Sequence, residues 1–253
     1  MTDAEKQKIQ YIFSDMDNTL FDFVHAKVKA CAAVVDHIGT GDPHEMLSYF
    51  LRGIYGFENL ENIEDFLKEK YVFSESLFEE CCCIYEDVKV ENVELYDGVR
   101  KTIETVKDMD RSFIIVTDAD TENAYRRMKR VKLDGLVDDV IAYDMSGKKK
   151  PDLGAFEFAL NRSGANASES MYIGDSLRRD IAPAKKIGMV TAYAAYGDRN
   201  DHDRDFYFEP DYKLGNLGEI IDIIQKNPQK TSRQPQKSSV SKQADEKAAV
   251  SEN

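Results

Sequence analysis

The chain has 253 residues, 42% of them hydrophobic, enough to bury one substantial core with room for a smaller subdomain. Its net charge of −13 disfavours nucleic acid or an anionic membrane as partner, yet leaves small phosphorylated ligands open, because a local cationic site can oppose the global field. No apolar run approaches the ~20 residues of a membrane span, and the polar opening MTDAEKQKIQ lacks the apolar stretch of a signal peptide.

A cytoplasmic protein, monomeric or homodimeric, is the expectation. Residues 11–13, Tyr-Ile-Phe, are β-favouring and apolar, and predict a short buried strand. It runs straight into SDMDNT. Asp15 and Asp17 there repel each other unless a cation or a shared proton relieves the crowding.

From about 23 to 96 the text is helical. Val24, Val28, Cys31, Val35 and Ile38 keep a one-face spacing, with Gly39 as the stop. In DPHE, Asp42 is the expected cap, Pro43 the first turn and Glu45 the closing member of a capping box. Asn62 opens a third helix, with Ile63, Phe66 and Leu67 on one side, and Ser74 opens a fourth. Cys81, Cys82 and Cys83 are adjacent, so on a helix they diverge by about 100° each and cannot converge on one metal. All four cysteines are expected as reduced, core-facing thiols.

After residue 97 the pattern alternates. A helix bearing Val99, Ile103 and Val106 precedes the strand in SFIIVTD, and a helix from Thr121 precedes DVIAYD. A helix from Asp152 precedes SMYIGD, and one ending near Gly188 precedes MVTAYA. Apolar runs alternating with helices predict an α/β fold with a Rossmann-like parallel sheet flanked by helices. The predicted division is a core of residues 1–22 and 97–225, an all-helical block of 23–96, and a tail of 226–253. That tail lacks aromatic residues and is rich in Gln, Ser and Lys, so disorder is expected there.

Parallel sheets bind ligands at the carboxyl ends of their strands, and here those ends read SDMD, TDAD and GDS. Asp15, Asp17, Thr117, Lys150, Asp175 and Asp180 would gather there. Oxygen ligands in this number suit a hard cation, and Mg²⁺ takes one or two carboxylates plus water and phosphate oxygens. A phosphoryl group needs cations and hydrogen-bond donors around its oxygens. One Asp can attack phosphorus, and a second can protonate the leaving oxygen.

The sequence resembles the haloacid dehalogenase (HAD) superfamily, in its branch with a helical cap inserted after the first motif. The motif DxDxT is matched by DMDNT, the hydroxyl-ended second strand by FIIVT, the Lys-Pro motif by KKKPD, and GDSxxxD by GDSLRRD. The resemblance implies Asp15 as nucleophile and metal ligand, and Asp17 as general acid/base lending its main-chain carbonyl to the metal. It implies Thr117 as phosphate ligand, Lys150 as charge stabiliser, Asp175 as Mg²⁺ ligand, and Asp180 as the residue orienting the metal's waters or Lys150. In TDAD, Asp118 replaces the residue types common after the Thr, so its amide rather than its carboxylate is expected to face phosphate. The block 23–96 becomes a cap that sets specificity. Within it Arg52, at the end of an apolar helix before Gly53 and Gly56, is the expected contact to a polar part of the substrate.

The expected function is a Mg²⁺-dependent phosphatase of a small phosphorylated metabolite, working through an aspartyl-phosphate. Halide hydrolysis on the same fold has no use for Asp17. A phosphate-receiving signalling domain would carry its Asp on a later strand and lacks the helical block. A non-enzymatic module would be expected to have lost at least one of Asp15, Asp17, Lys150 or Asp175, and none is lost. Phosphomutase chemistry shares the intermediate and stays open.

Overall fold

The computed structural model describes residues 9–200 and 206–226. Strand β1 (Tyr11–Ser14) is followed by four helices, α1 (Phe23–Ile38), α2 (Pro43–Leu51), α3 (Glu61–Glu69) and α4 (Glu75–Glu91). Next come α5 (Val99–Asp108), β2 (Ser112–Val116), α6 (Thr121–Arg130), β3 (Asp139–Ile141), α7 (Tyr143–Ser146) and α8 (Leu153–Ser163). The chain continues through β4 (Ser170–Gly174), α9 (Ala182–Lys186), β5 (Val190–Ala194), β6 (Tyr212–Leu214) and α10 (Ile220–Lys226).

All six strands are parallel, in the order β3-β2-β1-β4-β5-β6. This is a Rossmann-like α/β sheet. The order reverses beside β1, so the crevice that such sheets offer to ligands opens between the ends of β1 and β4. Five strands follow the expected alternation. The sixth, in DYKL, is three residues long with one buried side chain, too short to show a period.

Helices α1 to α4 enclose their own apolar cluster, including Cys31, Val34, Phe50, Phe66, Cys81 and Tyr85. Phe50 stacks on Tyr85 with ring centroids 4.9 Å apart. A separate cluster under the sheet gathers Ile12, Phe21, Ile103, Phe113, Met171 and Ile173. Local signals explain most helix ends. Gly39 closes α1 at φ 70, Asp42 accepts from the amides of His44 and Glu45, and Ser74 caps α4 through the Leu77 amide.

Four details depart from the sequence reading. Glu45 does not complete a capping box; its carboxylate binds Lys70 Nζ at 2.6 Å, a cross-helix ion pair that competes with the cap. Helix α3 begins at Glu61, and Asn62 is buried inside it, its amide donating to the carbonyls of Gly56 and Asn59. Cys31 and Cys81 are buried but Cys83 is exposed, because three consecutive helical positions cannot share one face. Lys226 ends α10, so the tail's first residue is helical, and the rest of the expected tail lies outside the described residues. Among the described residues no helix is long and apolar enough to cross a membrane.

Two lysines lie fully buried under the helical block. Lys27 packs its ammonium 3.5 Å from the centroid of the Phe57 ring and 4.2 Å from that of Phe50, and donates to the Phe57 carbonyl. Burial pushes its pKa down to about 7. In the unfolded chain the same group titrates near 10.4. Below pH 7 both states hold the proton and the folded state carries the full cost of the buried charge. Between about 7 and 10.4 the unfolded chain binds the proton more, so this contribution improves as pH rises. Lys27→Met is therefore expected to raise stability by about 1–4 kcal/mol at pH 6, because a buried charge becomes apolar bulk. The gain should shrink by pH 10. Urea melts of both proteins at the two pH values test this, and equal or lower stability of the variant at pH 6 would contradict it.

Candidate active site

The loop after β1 carries the first two acids. The Asp15 amide donates to the Ile173 carbonyl at 2.8 Å, which ties that loop to β4. Asn18 sits at φ 58, a left-handed conformation that Asn tolerates, and its side chain accepts from the Phe23 and Val24 amides to start α1. Gly197, after β5, crosses so close that a Cβ there would stand 1.6 Å from the Asn18 carbonyl oxygen. Only glycine allows that approach.

Lys150 organises the centre. Its Nζ donates to Asp15 Oδ1 at 2.5 Å, to Asp180 Oδ1 at 2.8 Å and to the Val116 carbonyl at 3.3 Å. Three acceptors meet the three protons of one ammonium. Burial works against the charged form, but Asp15 and Asp180 outweigh it and hold the Lys150 pKa well above its usual value. Asp15 also accepts from Thr19 Oγ1 at 3.3 Å, and burial raises its pKa while Lys150 opposes the shift.

After β4 the chain winds into one wide turn, Leu177–Ile181, with Ser176 accepting from the amides of both Asp180 and Ile181. Wide turns of this kind recur at functional sites. Here it swings Asp180 back beneath Gly174, where it accepts from the Ser176 amide at 3.1 Å and the Tyr172 hydroxyl at 3.4 Å. A Cβ on residue 174 would lie 2.4 Å from the Asp180 Cβ. Gly174→Ala should thus expel Asp180 from Lys150, lowering stability by about 1–3 kcal/mol from overpacking alone. Turnover should fall with it, and a variant with unchanged Tm and turnover would show that Asp180 has room to yield.

Asp175 is fully buried. Its Oδ2 accepts from Asn200 Nδ2 at 3.0 Å, whereas its Oδ1 has no hydrogen-bond partner among the described residues. Burial, with Asp15 and Asp180 nearby, raises its pKa well above the ordinary carboxylate value. Carboxylate oxygens of Asp15, Asp175 and Asp180 all lie within 4.8 Å of one another. A buried oxygen without a hydrogen bond amid three acids, with Arg179 Nη2 no nearer than 3.8 Å, is what a hard divalent cation relieves, so the donor set fits Mg²⁺.

Thr117 is buried at the end of β2, and its hydroxyl accepts from the Ala119 amide at 3.1 Å. Asp118 turns its carboxylate to the Lys150 amide at 2.9 Å, with Arg179 Nη1 3.7 Å away. It braces the Lys150 loop. A cavity of about 650 Å³ opens over these groups, lined on the core side by Asp15, Asp17, Thr117 and Arg179 and on the other by Leu51, Phe57 and Glu58.

Arg52 does not join them. It pairs with Asp65 and stacks over Tyr49, 4.3 Å from the ring centroid, on the exposed flank of the helical block. Gly53, at φ 73, lets the chain turn after α2 and carry residues 56–59 to the cavity instead. The sequence reading also missed Arg127 and Glu58. Arg127 sits in YRRMKR, which reads as a solvated basic run, yet it is 1% exposed and bonds Asp17 Oδ2 at 2.7 Å. Asp17 Oδ1 is buried with no hydrogen-bond partner among the described residues, and burial pushes its pKa up to about 7.

Residues 11–194 match the haloacid dehalogenase-like hydrolase family. Glyceraldehyde 3-phosphate phosphatase of Methanocaldococcus jannaschii is 34% identical over 140 residues, covering 55% of this chain and 60% of that protein. Over those first relatives the chain thus spans about 60% of their length. A Pyrococcus furiosus protein of the same name is 27% identical over 233 residues, covering 87% of this chain and 95% of its own. Among solved structures, the HAD-hydrolase YfnB of Bacillus subtilis, bound to magnesium, superposes with a TM-score of 0.69 at 20% identity, covering 86% of this chain and 99% of that one. With three motifs on adjoining strand ends, Lys150 of the α7–α8 loop meeting them, and the match running from β1 through β5, the chain belongs to the haloacid dehalogenase-like hydrolases.

Proposed function

We propose that the protein is a Mg²⁺-dependent phosphatase of a small phosphomonoester. The observation that carries this reading is the buried Lys150 ammonium shared by Asp15 and Asp180, with Asp17 on the cavity side of the same loop. A single cation thereby holds one carboxylate as nucleophile, while a second is left for proton transfer. Two relatives bear names of glyceraldehyde 3-phosphate phosphatases and another that of a pyrophosphatase, which supports phosphate chemistry here.

In this reading Asp15 attacks phosphorus, and Lys150 together with the Thr117 hydroxyl and the adjoining loop amides meets the charge on the peripheral oxygens. Asp17 donates a proton to the leaving oxygen, then accepts one from the water that hydrolyses the aspartyl-phosphate. A carboxyl titrating near neutrality can do both. Asp15, Asp175 and the Asp17 main-chain carbonyl would hold Mg²⁺, which supplies Lewis-acid neutralisation of phosphoryl charge when bound. Asp180 serves chiefly to hold Lys150. Leu51 and Phe57 offer apolar contact to the leaving group. Phosphomutase chemistry would use the same groups. Asp17, fixed by Arg127, argues against halide hydrolysis, in which the leaving group needs no proton.

The test is turnover of a phosphomonoester panel that includes glyceraldehyde 3-phosphate and phosphoglycolate, with and without metal. EDTA should stop hydrolysis and Mg²⁺ restore it, with Ca²⁺ a poor substitute because its looser coordination misfits an octahedral site. Undiminished activity after chelation would remove the metal from this proposal.

A further inference from the structure

Arg127 leaves the core helix α6 and runs into the seam between the sheet and the helical block. Its Nη1 donates to Asp17 Oδ2 at 2.7 Å, and its Nη2 meets the Glu58 carboxylate. The guanidinium lies 3.9 Å from the centroid of the Phe23 ring. Glu58 belongs to the loop between α2 and α3, which lines the cavity, and Lys89 of α4 approaches it at 3.6 Å. One rigid fork therefore holds the proposed proton donor in one hand and the loop above the cavity in the other.

The geometry of a guanidinium makes this more than a pair of ion pairs. Its arms are fixed relative to each other in a plane, so the position of one partner constrains where the other arm points. The Phe23 ring and full burial leave the fork little freedom to swing. Among the described residues Asp17 has no other hydrogen bond to its side chain, and its Oδ1 is buried without a hydrogen-bond partner. Its orientation thus hangs on Arg127.

We propose that Arg127 is a positioning residue for Asp17 whose second arm is gripped by Glu58, so that seating the 52–60 loop over the cavity and aiming Asp17 into it are one event. The consequence is an acid/base in register only while the loop screens the cavity from bulk solvent, which suits a site where Asp17 must exchange its proton with the leaving oxygen and one attacking water alone. The role assigned to Asp17 rests on the phosphatase reading; the grip on the loop does not.

Three variants separate these parts: Arg127→Met, Arg127→Lys and Glu58→Gln. Two measurements are made on the full chain. Hydrogen exchange followed by mass spectrometry reports amide protection in residues 52–60 and needs no turnover. Values of kcat/KM for aryl phosphates of graded leaving-group pKa report proton donation, because a poor leaving group depends on acid help of about 10²- to 10⁴-fold while p-nitrophenolate needs little. We expect Arg127→Met and Glu58→Gln each to speed exchange in 52–60 by tenfold or more and to steepen the leaving-group dependence. Arg127→Lys should fall between, since an ammonium is a point charge without the planar fork that clamps two carboxylates.

A loss of kcat/KM equal across the whole series would show Arg127 to be structural only. Native protection of 52–60 in folded Glu58→Gln would break the link to the loop. Should Arg127→Met fail to fold, Glu58→Gln decides: faster exchange with an unchanged slope overturns the coupling. If the wild-type chain hydrolysed no phosphomonoester, the phosphatase reading would fall, and the fork's grip on the loop would be judged by exchange alone.

Discussion

Asp15→Asn is expected to abolish turnover, by on the order of 10⁶-fold, the scale on which removal of a nucleophile acts elsewhere. The amide is nearly isosteric but cannot form the acyl phosphate. The chain should still fold, because Lys150 keeps Asp180 and the Val116 carbonyl when Asp15 loses its charge. Acid-quenched wild-type enzyme should carry a phosphoryl adduct on the peptide containing Asp15, and the variant none. Residual turnover within tenfold of wild type would exclude the covalent route.

Lys150→Met should be the most destabilising of the single changes considered. It removes the one ammonium between Asp15 and Asp180, whose side chains are 7% and 0% exposed, and leaves like charges facing each other out of water. Breaking a buried pair in this way costs about 3–5 kcal/mol. For a chain of this size that corresponds to a Tm lower by about 6–20 °C. The loss should depend on pH with a definite sign. Without the lysine, burial and mutual repulsion raise the carboxylate pKa values above those of the unfolded chain. The folded variant then binds a proton that the unfolded chain has released, so stability is retained at low pH and lost as pH rises. Melts in chelated buffer at pH 5 and pH 8 test this. A Tm deficit that is smaller at pH 8 than at pH 5 would contradict the assignment.

Much of this site was legible in the sequence because its parts are local. DMDNT, FIIVT and GDSLRRD each lie within one strand end and its loop, KKKPD fills the short loop between α7 and α8, and apolar runs alternating with helices determine where those segments meet. Asp180 beneath Gly174 is also a near-neighbour effect, five residues of wide turn. What escaped is what depends on distant partners. Arg127 looks like the second cation of a surface run, and only the opposing helical block makes it buried; Glu58 lies 69 residues away from it in the chain. Arg52 failed for the complementary reason. Its place after an apolar helix was read correctly, but Asp65 on the next helix, which claims its guanidinium, could not be foreseen from either segment. Asp118 shows the same limit on a smaller scale, since its partner is the Lys150 amide, 32 residues further on in the loop before α8.

The position of β1 has a bearing on how the chain acquires its active form. Among the six described strands β1 is the earliest in the chain, yet it lies in the interior of the sheet, with Tyr11 paired to Ser112 on one side and Ser170 on the other. At roughly 5–20 residues per second of synthesis, its second neighbour emerges about ten to thirty seconds after it does. Through that interval Asp15 has no β4 carbonyl to anchor its amide, and for most of it no Lys150 to answer its charge. Asp15, the proposed nucleophile, is therefore made early and armed late. A nascent chain halted before β4 should be inert, however well its helical insertion has formed, and such long-range closure also slows refolding of the finished protein.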